Sequence, residues 1–360
     1  MRQHDPVQSV NSVSAANAHK DLAMLPNLDG IRAVACLLVV LTHIPLPIKM
    51  EVLGAVGVGI FFVLSGFLMS YLYARATWDF QAVCRYSIAR FSRIAPIYWL
   101  VVSICIVISY SAPESEFAMK IIGGYQIARH YLFVGSAGVF WSIPPEIQYY
   151  IFFLLLWWGM ASRSKISYAF PSIVLLCTGL LLTHNLWPGL SLPNKLQFFL
   201  AGTVAGMVPR GTWRGTSDRT ALFCLQLGAL FLLMAPVWLY SSKEDLYGAT
   251  ELGFALAVAV YFLSIPSCWT TFVFASPLMR RIGQASFSIY LMHVLVFYYG
   301  MRWLGLSSRQ YDPLWLVLGL AGVALPMAAS WYIEIPLQKR TRRALEKTFG
   351  LASRQQPLAA

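Results

Sequence analysis

Charge is what this chain has least of. Only 12% of its 360 residues are Asp, Glu, Lys or Arg, about half the share of an ordinary soluble domain, and so few charges cannot clothe a water-soluble surface. Acidic groups are the scarcer kind, 15 against 27 basic ones. Cysteine is sparse as well. Cys36, Cys105, Cys177 and Cys224 fall in or at apolar stretches, and Cys84 and Cys268 are expected near the cytoplasmic side, a distribution with neither a disulfide framework nor metal-ligand spacing. No Gly-x-Ser-x-Gly elbow is present, and the two halves show no convincing internal repeat. The longest loop, roughly 113–140, is too small for an independent core. These absences argue against a soluble hydrolase domain, a disulfide-stapled scaffold and a metal centre.

Long apolar runs are present instead. Hydrophobic residues make up 58% of the chain, and crossing a hydrocarbon core takes about 20 helical residues. The pattern predicts an all-α, multi-pass integral membrane bundle of about ten spans: 31–48, 52–74, 95–112, 141–160, 166–184, 195–209, 220–240, 248–266, 286–304 and 313–334. Gly202 and Gly206 in the short sixth span predict close helix packing. Basic residues orient such a bundle, because short loops rich in Lys and Arg stay in the cytoplasm. With an inside N-terminus only Lys49, Lys120, Arg129, Lys195, Lys243, Arg302 and Arg309 fall outside, so both termini are expected in the cytoplasm. That asymmetry absorbs much of the net charge of +12, and no nucleic-acid partner has to be invoked. The expected layout is a polar, disordered cytoplasmic lead over 1–27, a transmembrane domain over 28–338 and a basic cytoplasmic tail over 339–360.

One apolar run carries two ionisable groups. In DGIRAVACLLVVLTHI, Arg32 and His43 are eleven positions apart, three helical turns plus roughly 20°, so both project from one face with His43 roughly 16 Å deeper along the axis. Ionisable groups in a span are costly and point to function when they face a protein interior. A buried histidine bonded to a neighbouring carbonyl is the plain alternative.

Several patterns then occur in order. LDGIRA with His43, GVGIFFVLSGFLMS at 57–70, RFSRIAP at 90–96, WSIPPEIQYY at 141–150, GQASFSIYLMH at 283–293 and WYIEIPLQKRTRR near the end resemble the motif series of the acyltransferase-3 family. These integral membrane enzymes commonly O-acylate bacterial surface glycans. Gly59 departs from the pattern, since members often carry an acid at that position. The resemblance implies a bacterial inner-membrane enzyme using acyl-coenzyme A, with acetyl-CoA the expected donor substrate and no bound cofactor. It implies as acceptor a hydroxyl of an extracytoplasmic or lipid-linked glycan, in a polysaccharide, exopolysaccharide or lipopolysaccharide.

Under that reading Arg90 and Arg93, three apart, face one way and grip coenzyme A phosphates, because a guanidinium binds anionic oxygens in pairs. Arg32 holds a phosphate or the pantetheine arm. Positive-inside anchoring explains the same arginines without a ligand. His43 is the expected general base, since a neutral imidazole has a reference pKa of about 6.5 and can take a hydroxyl proton near neutral pH; direct and two-step transfer remain open. Glu146, placed at the outside mouth, either orients His43, binds an acceptor hydroxyl or accepts a proton, or else complements a helix dipole. Trp141, Tyr149 and Tyr150 stack on a sugar or anchor at the interface. Ser288, Tyr290 and His293 form a polar stripe that lines a donor tunnel or bonds helix to helix. Ser65 is expected to be a helix-packing or hydrogen-bonding serine, not a nucleophile, and Glu334 a salt-bridge partner of Lys339 or Arg340. From other classes, a transporter or flippase of a lipid-linked sugar and a membrane scaffold fit the composition too.

Overall fold

The computed structural model describes residues 25–45, 50–113, 117–162, 168–210, 216–307 and 312–351. Most of the expected lead, the end of the first expected span and the end of the tail lie outside the described residues. Those described are helical, without a strand among them. In chain order the helices are α1 (Leu28–Leu41), α2 (Met50–Tyr73), α3 (Phe80–Ser111), α4 (Gly124–Tyr131), α5 (Ile143–Ser162), α6 (Ala169–Leu182), α7 (Leu192–Met207) and α8 (Thr216–Met234, continued by a turn at Pro236–Leu239). They continue with α9 (Lys243–Gly248), α10 (Thr250–Ser264), α11 (Cys268–Phe274), α12 (Pro277–Gln284), α13 (Ser286–Leu304), α14 (Leu314–Ala329) and α15 (Ile335–Thr348).

Among the described residues five helices are long and apolar enough to cross a membrane: α2, α3, α5 with the turn before it, α8 with its continuation, and α14 running into α15. Counting two bent pairs as single spans raises the number to seven; α10 meets α11 at 103° and α12 meets α13 at 75°. The other expected spans fall on shorter helices, α1 and α6 with 14 residues and α7 with 16.

Local chemistry sets the boundaries that matter for the site. α1 stops at Leu41, not near residue 48, because Ile44 precedes Pro45 and the residue before a proline is pushed out of the helical region. Thr42 Oγ1 donates back to Leu38 O at 3.0 Å, and the His43 and Ile44 amides close tighter turns onto Val40 and Leu41. His43 therefore sits at an exposed position on a turn just after a 14-residue helix. α3 departs from expectation in the opposite direction. Asp79 caps it by accepting from the Ala82 amide at 2.8 Å, and the helix runs 32 residues through Pro96, placing Arg90 and Arg93 within one continuous rod.

α2 is the axis of the bundle, packed against α1, α7 and α10. Its approach to α7 depends on glycine. A methyl group at Gly66 would strike the Phe199 carbonyl, and one at Gly202 the Val63 carbonyl, so the two backbones touch as the Gly202 and Gly206 spacing predicts. Gly59 faces Phe198 and Leu256, apolar surroundings where the acid frequent in the family would meet no polar partner from those side chains. A second close approach sets α1 against α12: Gly283 abuts the Asp29 carbonyl, and Gln284 Nε2 donates to Asp29 Oδ2 at 3.2 Å. That docking lays α1 alongside α13.

At the other end, α14 passes through a π-helical turn, Ser330–Glu334, into α15, which packs along α3. Glu334 is buried and accepts from the Ser288 and Ser330 hydroxyls, each at 2.6 Å. The expected salt bridge to Lys339 or Arg340 is absent among the described residues; both cations are exposed while the carboxylate turns inward.

Candidate active site

Two cavities meet inside the bundle. The larger, about 740 Å³, is walled by His43, Trp141, Lys195, Tyr247 and Tyr290, with Glu51, Lys243 and Glu244 also on its lining. The smaller, about 50 Å³, is lined by Arg32, Ser65, Arg93, Ser142, Glu146 and Ser286. Val58 and Tyr290 line both, so these two side chains form the partition. The Tyr290 hydroxyl lies 2.9 Å from Val139 O, to which it donates, and 2.7 Å from Ser142 Oγ. The eleven-residue spacing of Arg32 and His43 thus sets one on each side of the partition.

His43 does not work alone. His293, fully buried on α13, has Nδ1 2.9 Å from the Ile289 carbonyl and Nε2 3.3 Å from His43 Nδ1. His43 Nδ1 also lies 3.1 Å from the Val39 carbonyl. A carbonyl only accepts, so in a neutral pair each Nδ1 must carry the hydrogen, and His293 Nε2 presents its lone pair to the His43 N–H. The hydrogen-bond network assigns the tautomers. It leaves His43 Nε2 as a lone pair, in a ring that borders the large cavity, fixed from behind by the Val39 carbonyl and a second imidazole. A proton acceptor for a hydroxyl needs that tautomer.

The small cavity is organised around cations. Arg32 Nε is buried without a hydrogen-bond partner, and neither Arg32 nor Arg93 is ion-paired with Glu146 among the described residues. Glu146 Oε1 instead accepts from Ser65 Oγ at 3.0 Å and from the Tyr150 hydroxyl at 2.6 Å, which gives Ser65 the hydrogen-bonding part expected of it. Two guanidiniums beside one already bonded carboxylate have donor capacity for an anion.

Several expected positions shift. Glu146 lies on the far side of Tyr290 from His43, not at the outside mouth; the 3-10 turn Gly138–Ser142 carries the chain from the large cavity to the small one before α5 begins. Arg93 lines the small cavity, but Arg90 does not, its guanidinium lying 6.0 Å over the Tyr150 ring; the i,i+3 spacing leaves the two only about 60° apart around the helix, and the ring on a neighbouring helix separates their heads. Tyr149 is fully buried between α5 and α7, stacked on Phe199 with centroids 4.3 Å apart and its hydroxyl 2.6 Å from Thr203 Oγ1, out of reach of a sugar. Trp141 does line the large cavity. Of the α13 stripe, Tyr290 forms the partition, His293 backs His43, and Ser288 is spent on Glu334.

Two wall residues were not singled out from the sequence. Lys195 reads there as one more basic residue outside, and Tyr247 as one of 18 tyrosines; neither belongs to a short motif.

The acyltransferase-3 family model, described as an acyltransferase domain, matches residues 25–334. Acyltransferase MdmB of Streptomyces mycarofaciens is 25% identical over 348 residues, covering 85% of this chain and 87% of that protein. Peptidoglycan O-acetyltransferase OatA of Listeria monocytogenes is 24% identical over 318 residues, covering 75% of this chain and 49% of OatA, so the chain spans about half the length of that relative. No solved structure matches.

Proposed function

The chain belongs to the acyltransferase-3 family, and we propose that it moves an acyl group, acetyl in the first instance, from acyl-coenzyme A to a glycan hydroxyl, with His43 as general base. The observation that carries the reading is the tautomer lock: His43 Nε2 holds an unshared pair at the edge of a cavity large enough for a sugar. Coenzyme A phosphates are the anions proposed for Arg32 and Arg93, and the thioester reaches His43 past Tyr290. By the charge rule the large cavity lies on the extracytoplasmic side, where a surface glycan or lipid-linked oligosaccharide arrives. The name of the relative acting on peptidoglycan supports a glycan acceptor.

The proposed step balances without a further reactant. The acceptor hydroxyl gives its proton to His43 Nε2 as its oxygen attacks the thioester carbonyl; the C–S bond breaks, the C–O bond forms, and the proton passes from His43 to the departing thiolate. His293 is a positioning residue here, because it touches His43 and not the reacting atoms.

The test is mass spectrometry of surface glycans from cells carrying the intact gene, a deletion, or His43→Ala at equal expression, paired with acetyl-CoA turnover by the purified protein. Loss of acyl groups and turnover in both altered forms supports the reading. Unchanged acylation with lost glycan export would replace it with transport.

A further inference from the structure

One wall of the large cavity has no part in the proton chemistry. Lys195, in the first turn of α7, is only 5% exposed yet borders the cavity. Its Nζ donates to Asn194 Oδ1 at 2.7 Å and lies 4.0 Å above the centre of the Tyr247 ring. Among the described residues no carboxylate is within ion-pair distance of it. The two carboxylates of the cavity lining, Glu51 and Glu244, bracket Lys243 at 3.7 and 3.9 Å; these side chains are 50–71% exposed, so that group is solvated. Behind Lys195, His184 is buried against Thr250 with its ring 3.3 Å from Oγ1.

Lys195 is therefore a buried ammonium with no carboxylate in ion-pair contact among the described residues, the Glu244 charge acting on it only from a longer distance, at a place that makes it costlier still. It sits at the start of a 16-residue helix, where the macrodipole favours negative charge and a cation is mismatched. An unpaired buried charge is expensive, and an ammonium has three donors of which Asn194 takes one. An anion arriving from the cavity would relieve both costs. Beside it Trp141 and Tyr247, ring centroids 5.5 Å apart at 66°, give an angled aromatic corner on the lining.

We propose that the large cavity is a subsite for a sugar bearing an anionic group, a carboxylate or a phosphate ester, with Lys195 as the anion contact and the Trp141–Tyr247 corner against the ring. That the same sugar turns a hydroxyl to His43 rests on the acyltransferase reading; the anion subsite itself does not. A lone ammonium is a point charge without the guanidinium fork, which suits one anionic group on an otherwise neutral ring.

The experiment is equilibrium binding to the full chain in lipid nanodiscs, comparing methyl β-D-glucuronide, glucose 6-phosphate and the neutral methyl β-D-glucoside. At least one anionic sugar is expected to bind about tenfold tighter than the glucoside, which is the gain of one charge-assisted hydrogen bond at the low end of its range. Preference for the glucuronide alone identifies a carboxylate, and for the sugar phosphate alone a phosphate ester. Lys195→Gln is expected to erase the preference while leaving glucoside affinity unchanged, and Lys195→Arg to keep it within a few-fold. Anionic sugars that bind no better than the glucoside, or do not bind, overturn the proposal on the unaltered protein without reliance on any variant; a preference surviving Lys195→Gln overturns it as well. Acetyl-CoA turnover is scored separately, so failure of the transferase reading leaves the binding result standing.

Discussion

The two cavities on either side of Tyr290 solve opposite problems with polar groups. In the large one, the ring proposed as the base is satisfied before any ligand arrives: His43 is held by Val39 and His293, and His293 by Ile289. In the small one, the groups are left wanting: Arg32 keeps a buried N–H without a partner beside Arg93, while the one carboxylate present is occupied by Ser65 and Tyr150. A base must be oriented in advance, because its lone pair has to point at one atom. An anion clamp must be unsatisfied in advance, because donors already bonded have less to offer. The comparison separates a region built for geometry from one built for charge.

That separation can be broken at its strongest point first. His43→Ala should lower kcat by about 10²–10⁴-fold, the usual contribution of a positioned base, with the affinity for acyl-coenzyme A unchanged; steady-state kinetics with a parallel nucleotide-binding measurement reads both. If binding of the donor falls equally, the two cavities are not distinct in role. On the charge side, Arg93→Ala and Arg32→Ala should each weaken acyl-coenzyme A by roughly 10–100-fold, the loss of a charge-assisted bond worth about 1.5–3 kcal/mol. The loss should shrink as salt rises, and kcat at saturation should change little.

The positioning role of His293 gives a smaller effect with a diagnostic rescue. His293→Leu removes the acceptor for the His43 N–H and should cost about tenfold in kcat with KM unchanged, near the worth of one hydrogen bond. His293→Gln, whose amide oxygen can accept in place of Nε2, should recover most of it. Equal losses in both variants would mean that packing, not the tautomer, matters there. Smallest of all, Tyr290→Phe removes the bonds to Val139 and Ser142 while keeping the ring in the partition. Acetyl-CoA hydrolysis without acceptor should rise a few-fold, about 1 kcal/mol of lost closure, because water from the large cavity then reaches the thioester more readily. An unchanged hydrolysis rate would place the barrier elsewhere.

The legible part of the site follows from how near the partners are in sequence. Arg32 and His43 share one helical segment, so periodicity alone sets them on one face. Ser65 reads as a packing or hydrogen-bonding serine, and the structure selects the second with its bond to Glu146. The misplaced residues fail where a second element intervenes. Glu146 reads as bound for the mouth until the Gly138–Ser142 turn carries the chain past Tyr290, and Ser288 reads as tunnel lining or helix-to-helix bonding until Glu334 folds inward to select the second. Arg90 parts from Arg93 because Tyr150, on another helix, offers its ring to the first.

Composition and ordered motifs determined the class of this molecule by themselves: too little charge for a soluble surface, apolar helices in series, and the acyltransferase-3 family over residues 25–334. They also supplied the residue types the chemistry needs. Only the tertiary structure decided which of those residues meet. His43 and His293 are 250 positions apart, and no local pattern predicts their contact; it exists because Gly283 lets α12 close on the start of α1 and lays α13 beside it. Motif spacing is a property of one helix, whereas a hydrogen bond between helices depends on backbones approaching within a few ångströms, and that distance is set by packing of the whole bundle.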